Sequence, residues 1–134
     1  MARAELVADF MPIDPVAVDP DTTIKEVVRQ LRGYGLSALP VVDARGRPVG
    51  VISLADPAMV PPRLSILHRA KLAGLHVREP MSRSPITIPV RTSLAEAGRI
   101  MCEAHVAQLV GIDDRGRAMG VLSAGDFVAL VAES

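Results

Sequence analysis

One segment of this chain occurs twice. Shifting the sequence by 70 residues places residues 11–57 on residues 81–127 without a gap, and 14 of the 47 aligned pairs are identical. Two copies are too few for a long repeat array. Each copy, of about 50 residues, is also too small to cover its own sheet well. The repeat therefore predicts two matched halves that pack against each other around a shared core.

The strongest motif in both copies is Gly, two aliphatic residues, Ser, two small or apolar residues and Asp, over residues 50–56 and 120–126. Each stretch predicts a buried strand that runs into a helix. Backbone N–H groups at a helix start are unpaired, and the helix dipole favours negative charge there, so such a junction suits a polar ligand. Ser-x-x-Asp is also a capping box with Ser53 or Ser123 as N-cap. The spacing leaves ligand binding and helix capping open.

Hydrophobic periodicity predicts the order β-α-β-β-α in each copy. Capping boxes at Thr23/Glu26 and Ser93/Glu96 mark the two helix starts. The predicted strands cover residues 16–18, 38–42 and 49–54 in the first copy, and residues 86–88, 108–112 and 119–122 in the second. Further helices are predicted over residues 4–11, 63–75 and 125–132.

These elements predict an α+β fold with a sandwich-like arrangement, in which two pseudo-symmetric repeats pack sheet to sheet. We expect residues 4–60 to form the first repeat, residues 61–76 a connecting helix, and residues 77–132 the second repeat.

Composition argues against several function classes. Fifteen basic and fifteen acidic side chains balance, and aromatic residues make up 2% of the chain, so we expect no nucleic-acid partner. No apolar run reaches the roughly 18 residues of a membrane span, so we expect no membrane partner and a cytoplasmic protein. The single cysteine, Cys102, cannot form an internal disulfide. We find no metal-ligand spacing and no catalytic constellation, and expect no metal, no cofactor and no enzyme activity.

The ordered set of motifs resembles a cystathionine-beta-synthase (CBS) domain pair, also called a Bateman module, over residues 4–132. The resemblance rests on Met81-Ser82, Pro85-Ile86-Thr87-Ile88, Ser93-Leu94-Ala95-Glu96-Ala97, Leu39-Pro40-Val41-Val42-Asp43 and the two Gly-x-x-Ser-x-x-Asp stretches. It implies a non-catalytic regulatory module that binds AMP, ADP, ATP, S-adenosylmethionine or NAD in clefts between the repeats. It also implies association of two modules, hence a homodimer. The alternative is a ligand-free scaffold for dimerisation.

The resemblance also assigns site residues. Asp56 and Asp126 would accept hydrogen bonds from the ribose hydroxyls, and Ser53 and Ser123 would contact phosphate or ribose. The slot for the base would be lined by Val16, Ser37, Ala38 and Ile52, and by Ile86, Ala107, Gln108 and Leu122.

The two copies differ around these residues. Pro57 directly follows Asp56 and disfavours a regular helix there, whereas Gly125 before Asp126 lets the backbone approach a ligand. The sequence therefore favours the site at Asp126. Arg83 and Arg91 flank the short strand of the second copy and are either phosphate contacts or solvated surface residues.

Overall fold

The computed structural model describes residues 5–12, 14–53 and 74–125. Asp56 and Asp126 lie outside these ranges. So do nearly all residues of the helices predicted over residues 63–75 and 125–132.

Two helices of equal length occupy equivalent positions in the two copies, α1 (Ile24–Tyr34) and α2 (Leu94–Ala104). The predicted N-caps are confirmed. Thr23 Oγ1 accepts a hydrogen bond from the Glu26 N–H at 3.3 Å, and Ser93 Oγ accepts one from the Glu96 N–H at 3.2 Å. Each helix buries one apolar face against the sheet of its own copy.

Within the described residues, six strands form two three-stranded sheets, with the orders β1-β2-β3 and β4-β5-β6. The strands are β1 (Ala38–Val42), β2 (Pro48–Ser53), β3 (Ser82–Arg83), β4 (Thr87–Pro89), β5 (Gln108–Ile112) and β6 (Ala118–Ser123). The hairpins β1-β2 and β5-β6 are antiparallel, as predicted, and both carry a register shift before their last pair. The strand predicted at residues 16–18 is reduced to a single parallel bridge between Val18 and Val41, whereas its equivalent β4 forms a full parallel pair with β5.

The two hairpin turns are held by matching aspartates. Asp43 Oδ1 accepts hydrogen bonds from the backbone N–H groups of Arg45 and Arg47, at 2.8 and 3.0 Å. Asp113 makes the same two bonds, to Arg115 and Arg117, both at 2.9 Å. These backbone bonds, together with the neighbouring arginine charges, hold the pKa of both carboxyl groups below the ordinary value.

The segment that precedes the first copy packs on the second copy. In place of the helix predicted over residues 4–11, the structure has a single 3₁₀ turn at Val7–Phe10. The Val7 N–H donates to the Thr92 carbonyl at 2.9 Å, and the Leu94 N–H donates to the Glu5 carbonyl at 2.9 Å. Val7 is fully buried in the core formed by α2, β5 and β6.

The segment that precedes the second copy packs on the first in the equivalent way. The Val77 N–H donates to the Thr22 carbonyl at 2.8 Å, and the Ile24 N–H donates to the Leu75 carbonyl at 2.9 Å. Val77 is fully buried in the core formed by α1, β1 and β2. The two copies thus exchange their lead-in segments, which we define as residues 5–12 and 74–83.

A third apolar cluster joins the two sheets. It consists of Ala38, Val51, Val110 and Ala118. The Ala118 N–H also donates to the Gly46 carbonyl at 2.9 Å. The predicted α+β fold with two repeats packed sheet to sheet is confirmed.

The hydrogen bond that Ala118 donates to Gly46 has no equivalent from the first copy. Pro48 stands where the second copy has Ala118, and proline has no N–H to donate.

Candidate functional site

Two of the clefts between the copies, among the residues that the structure describes, occupy equivalent positions of the pseudo-symmetric pair. The first cleft, of about 190 Å³, is lined by Phe10, Pro12, Val16, Gly35, Leu36, Ser37, Ala38, Leu39, Pro40, Gly120 and Val121. The second cleft, of about 300 Å³, is lined by Val51, Ser82, Arg83, Ser84, Pro85, Ile86, Val106, Ala107 and Gln108. Each is formed by residues of both copies, with Val121 closing the first and Val51 closing the second.

The serines of the repeated motif stand next to these clefts. Ser53 pairs with Ala38 across the first hairpin, and Ser123 pairs with Gln108 across the second. The Ala124 N–H donates to the Ala107 carbonyl at 2.7 Å, which ties the end of β6 to the rim of the second cleft. Helical backbone begins directly after Ser123, at residues 124–125, as the motif predicts.

Six of the predicted slot residues line the clefts. Val16, Ser37 and Ala38 border the first cleft. Ile86, Ala107 and Gln108 border the second.

The positions predicted for Ile52 and Leu122 are corrected by the structure. Both side chains are fully buried in the cores beneath the helices, where they pair with the buried residues Leu39 and Leu109. Successive side chains of a strand point to opposite faces of the sheet, so their neighbours Val51 and Val121 line the clefts instead.

Sequence reasoning missed Ser84 and the lead-in residues that line the clefts. Phe10 and Pro12 line the first cleft, and Ser82 and Ser84 line the second. Aligning the two copies does place residues 12 and 82 at equivalent positions. The alignment does not show that each lead-in segment packs in the core of the other copy.

The motif glycines allow this close approach. A Cβ atom on Gly50 would lie 2.7 Å from Met81 Sδ and 2.8 Å from the Ser82 carbonyl oxygen. A Cβ on Gly120 would lie 2.8 Å from Met11 Sδ. The glycine at the start of each motif is therefore required by packing of the lead-in segment.

The polar residues differ in their surroundings. Arg83 lines the second cleft, whereas Arg91 is ion-paired with Asp114 at the surface. Ser84 adopts a left-handed conformation with φ of 54°, which is uncommon for a residue with a side chain.

Within residues 5–12, 14–53 and 74–125, no three His, Cys, Asp or Glu side chains are grouped to hold a metal ion. None of the helices in this part of the chain has the length and apolar character needed to cross a membrane.

Two matched α+β halves with exchanged lead-in segments and a cleft on either side define a pseudo-symmetric tandem-repeat module. The chain belongs to the CBS domain family, whose model matches residues 7–58 and 75–133.

Comparison with individual proteins gives the same assignment. The chain is 28% identical over 127 residues to inosine-5'-monophosphate dehydrogenase of Korarchaeum cryptofilum, covering 94% of this chain and 24% of the dehydrogenase. It is 28% identical over 131 residues to a CBS domain-containing protein of Dictyostelium discoideum, covering 94% of this chain and 90% of that protein. The solved structure of CBSX2 in complex with AMP is 25% identical, with a TM-score of 0.68, and the likeness covers 96% of this chain and 97% of that one. The chain thus spans about a quarter of the length of the dehydrogenase.

Proposed function

We propose that this chain is a regulatory module that binds an adenine-containing ligand, of the class of AMP, ADP, ATP, S-adenosylmethionine or NAD, and transmits its occupancy to a partner. The observation that carries the proposal is the pair of equivalent clefts, each built from both copies beside a motif serine. The complex of CBSX2 with AMP supports the choice of ligand class.

Each cleft offers the chemistry that a nucleoside needs. Each cleft is lined by aliphatic side chains from both copies, Val16 and Val121 in the first and Ile86 and Val51 in the second, and such side chains suit a flat apolar base. We assign the ribose to Asp56 and Asp126, because an ionised carboxylate accepts hydrogen bonds from two neighbouring hydroxyl groups. This part of the proposal rests on the motif sequence.

Occupancy is transmitted through the shared walls. A ligand in either cleft contacts both halves at once, so it stabilises the relative position of the halves that fits it best. A partner that contacts both halves would sense that preference. We propose this regulatory role, without catalysis, for the chain by itself, and the small share of the dehydrogenase that the chain spans is consistent with it.

One observation favours a second function, a ligand-free module that dimerises two copies. Helical backbone follows Ser123 directly, so the motif serine stands where a helix N-cap would. In that case the Ser-x-x-Asp motifs would start two helices and bind nothing.

Calorimetric titration with AMP, ATP, S-adenosylmethionine and NAD tests the sensor. We expect at least one of them to bind, and Ala107→Leu to weaken a ligand of the second cleft at least tenfold by filling it. Ala95→Leu, the same change at an exposed position of α2 outside the cleft, should leave binding unaltered. In the sensor Asp126→Ala lowers affinity, whereas in the scaffold it lowers only stability. No binding of any of the four at millimolar concentration would rule the sensor out.

A further inference from the structure

The two clefts differ in charge. Among the lining residues that the structure describes, the second cleft contains one ionisable side chain, Arg83, together with the polar residues Ser82, Ser84 and Gln108. The first cleft, over the same described part of the chain, is lined by no ionisable side chain, and its largest lining residue is Phe10. The four polar and charged side chains of the second cleft belong to residues 82–84 and to the start of β5.

Arg83 keeps its positive charge available to a ligand. It lies on the edge strand β3 with an exposed side chain, and its Nη2 donates to the Arg78 carbonyl at 3.0 Å. A hydrogen bond to a neutral carbonyl orients the guanidinium but does not neutralise it. The nearby Arg78 carries its own counter-ion in Asp21. A guanidinium has five N–H donors, so Arg83 still has donors for an anion.

The first copy has a different sequence at the equivalent place. The 70-residue shift pairs residues 82–84, Ser-Arg-Ser, with residues 12–14, Pro-Ile-Asp. Pro12 lines the first cleft and has no N–H to offer an anion. Asp14 is exposed and brings a negative charge to this segment, where the second copy has Ser84.

From this contrast we infer that the second cleft selects a phosphorylated nucleoside, with Arg83 donating to its phosphate, and that the first cleft does not accept the phosphate. The inference rests on the proposed function, because it presumes that nucleosides enter the clefts. It adds that the two clefts accept different ligands, and it attributes the difference to the sequences at residues 82–84 and at the equivalent Pro12 and Asp14. The volume of about 300 Å³ for the second cleft, against about 190 Å³ for the first, agrees with the larger ligand entering there.

Amide-resolved NMR titration with AMP and with adenosine separates the two clefts and the two ligands. AMP should shift the amides of Ser82, Ala107 and Gln108 at concentrations that leave Ser37 and Ala38 unchanged. Arg83→Met should weaken AMP binding roughly tenfold or more, because a charge-assisted hydrogen bond is lost. The same variant should change adenosine affinity at the second cleft less than about twofold. Arg115→Met, which removes one exposed positive charge from the hairpin turn of the same copy, is the matched control and should leave AMP affinity unchanged.

Three results would overturn the inference. One is an AMP affinity that Arg83→Met and Arg115→Met change equally. Another is a saturating AMP titration that shifts Ser37 and Ala38 as early as Ala107 and Gln108. In both of these the proposed function stands, because AMP still binds. The third, no shift with either AMP or adenosine at millimolar concentration, removes the proposed function along with the inference.

Discussion

The clearest single-residue difference between the copies is the residue that ends each helix. Gly35 and His105 both adopt the left-handed conformation, with φ of 66° and 55°, and each donates its N–H back to the last turn of its helix. Glycine takes this conformation without strain, whereas a residue with a Cβ atom meets the following carbonyl. The second copy thus keeps the helix end of the first and adds backbone strain.

We therefore expect His105→Gly to raise the free energy of unfolding by about 1 kcal/mol, since it removes that strain at a helix end that already has the right geometry. Urea denaturation followed by far-UV circular dichroism measures the change. Gly35→Ala is the reciprocal control and should lower stability by a similar amount. Apart from the backbone next to Gly35 itself, no atom lies within 4 Å of the added Cβ, so collision with another part of the described structure cannot explain such a loss. Equal stability of His105→Gly and the parent chain would contradict this account.

At the scale of elements, β2 and β6 each place two constrained residues on the face that meets the helix. Ile52 and Leu122 fill the cores under the helices. Gly50 and Gly120 lie two residues earlier on the same face, against Met81 and Met11 of the lead-in segments. The motif therefore combines a packing requirement at its glycine with a cleft-side position at its serine.

Gly50→Ala should lower the free energy of unfolding by about 1 to 3 kcal/mol, the usual cost of forcing extra volume into a packed region. The added Cβ would meet the Ser82 carbonyl oxygen at 2.8 Å, and backbone cannot turn aside as a flexible side chain can. Thermal and urea unfolding of the purified variant measure the loss.

Gly33→Ala is the matched control for that change. Gly33 lies inside α1 with nothing within 4 Å of an added Cβ, so alanine there should leave stability unchanged or raise it by up to about 1 kcal/mol. If Gly50→Ala proved as stable as Gly33→Ala, close approach of the lead-in segment would not be the reason for glycine at position 50.

Local sequence signals predicted most elements well. The capping boxes at Thr23 and Ser93 fixed both helix starts, and the turn residues 43–47 and 113–117 fixed both hairpins. These features depend on residues within a few positions of each other, and such interactions are readable from one sequence.

The features that were not predicted depend on contacts between residues far apart in the chain. Ile52 and Leu122 were assigned to the wrong face of their strands. Both faces of β2 and β6 are apolar, so the alternation of side chains could not show which face meets the helix. No local signal indicates that Val7 packs in the core of the second copy, because this contact joins residues far apart in the chain. The cleft residues at the starts of β1 and β5 were named through the resemblance to CBS domain pairs, which does not depend on reading contacts from the sequence.

The exchange of lead-in segments links the two halves into one cooperative unit. Val7, near the start of the chain, completes the core under α2, and Val77, between the copies, completes the core under α1. The third apolar cluster then joins the sheets themselves. A half that opened alone would remove part of the other half's core, so we expect the whole molecule to unfold in a single transition.

Val7→Ala tests this linkage, since it deletes two methyl groups from a fully buried side chain and should cost about 2 kcal/mol. Native-state hydrogen exchange measures the effect amide by amide. In a single cooperative unit, protection of Leu39 in β1 falls by the same free energy as protection of Leu109 in β5, although Val7 packs in the core that contains Leu109 and not in the core that contains Leu39. Val77→Ala, the equivalent change in the other core, should give the same result in both strands. Loss of protection confined to β5 in Val7→Ala, with β1 unaffected, would show that the halves open independently and that neither the exchanged lead-in segments nor the third apolar cluster couples them.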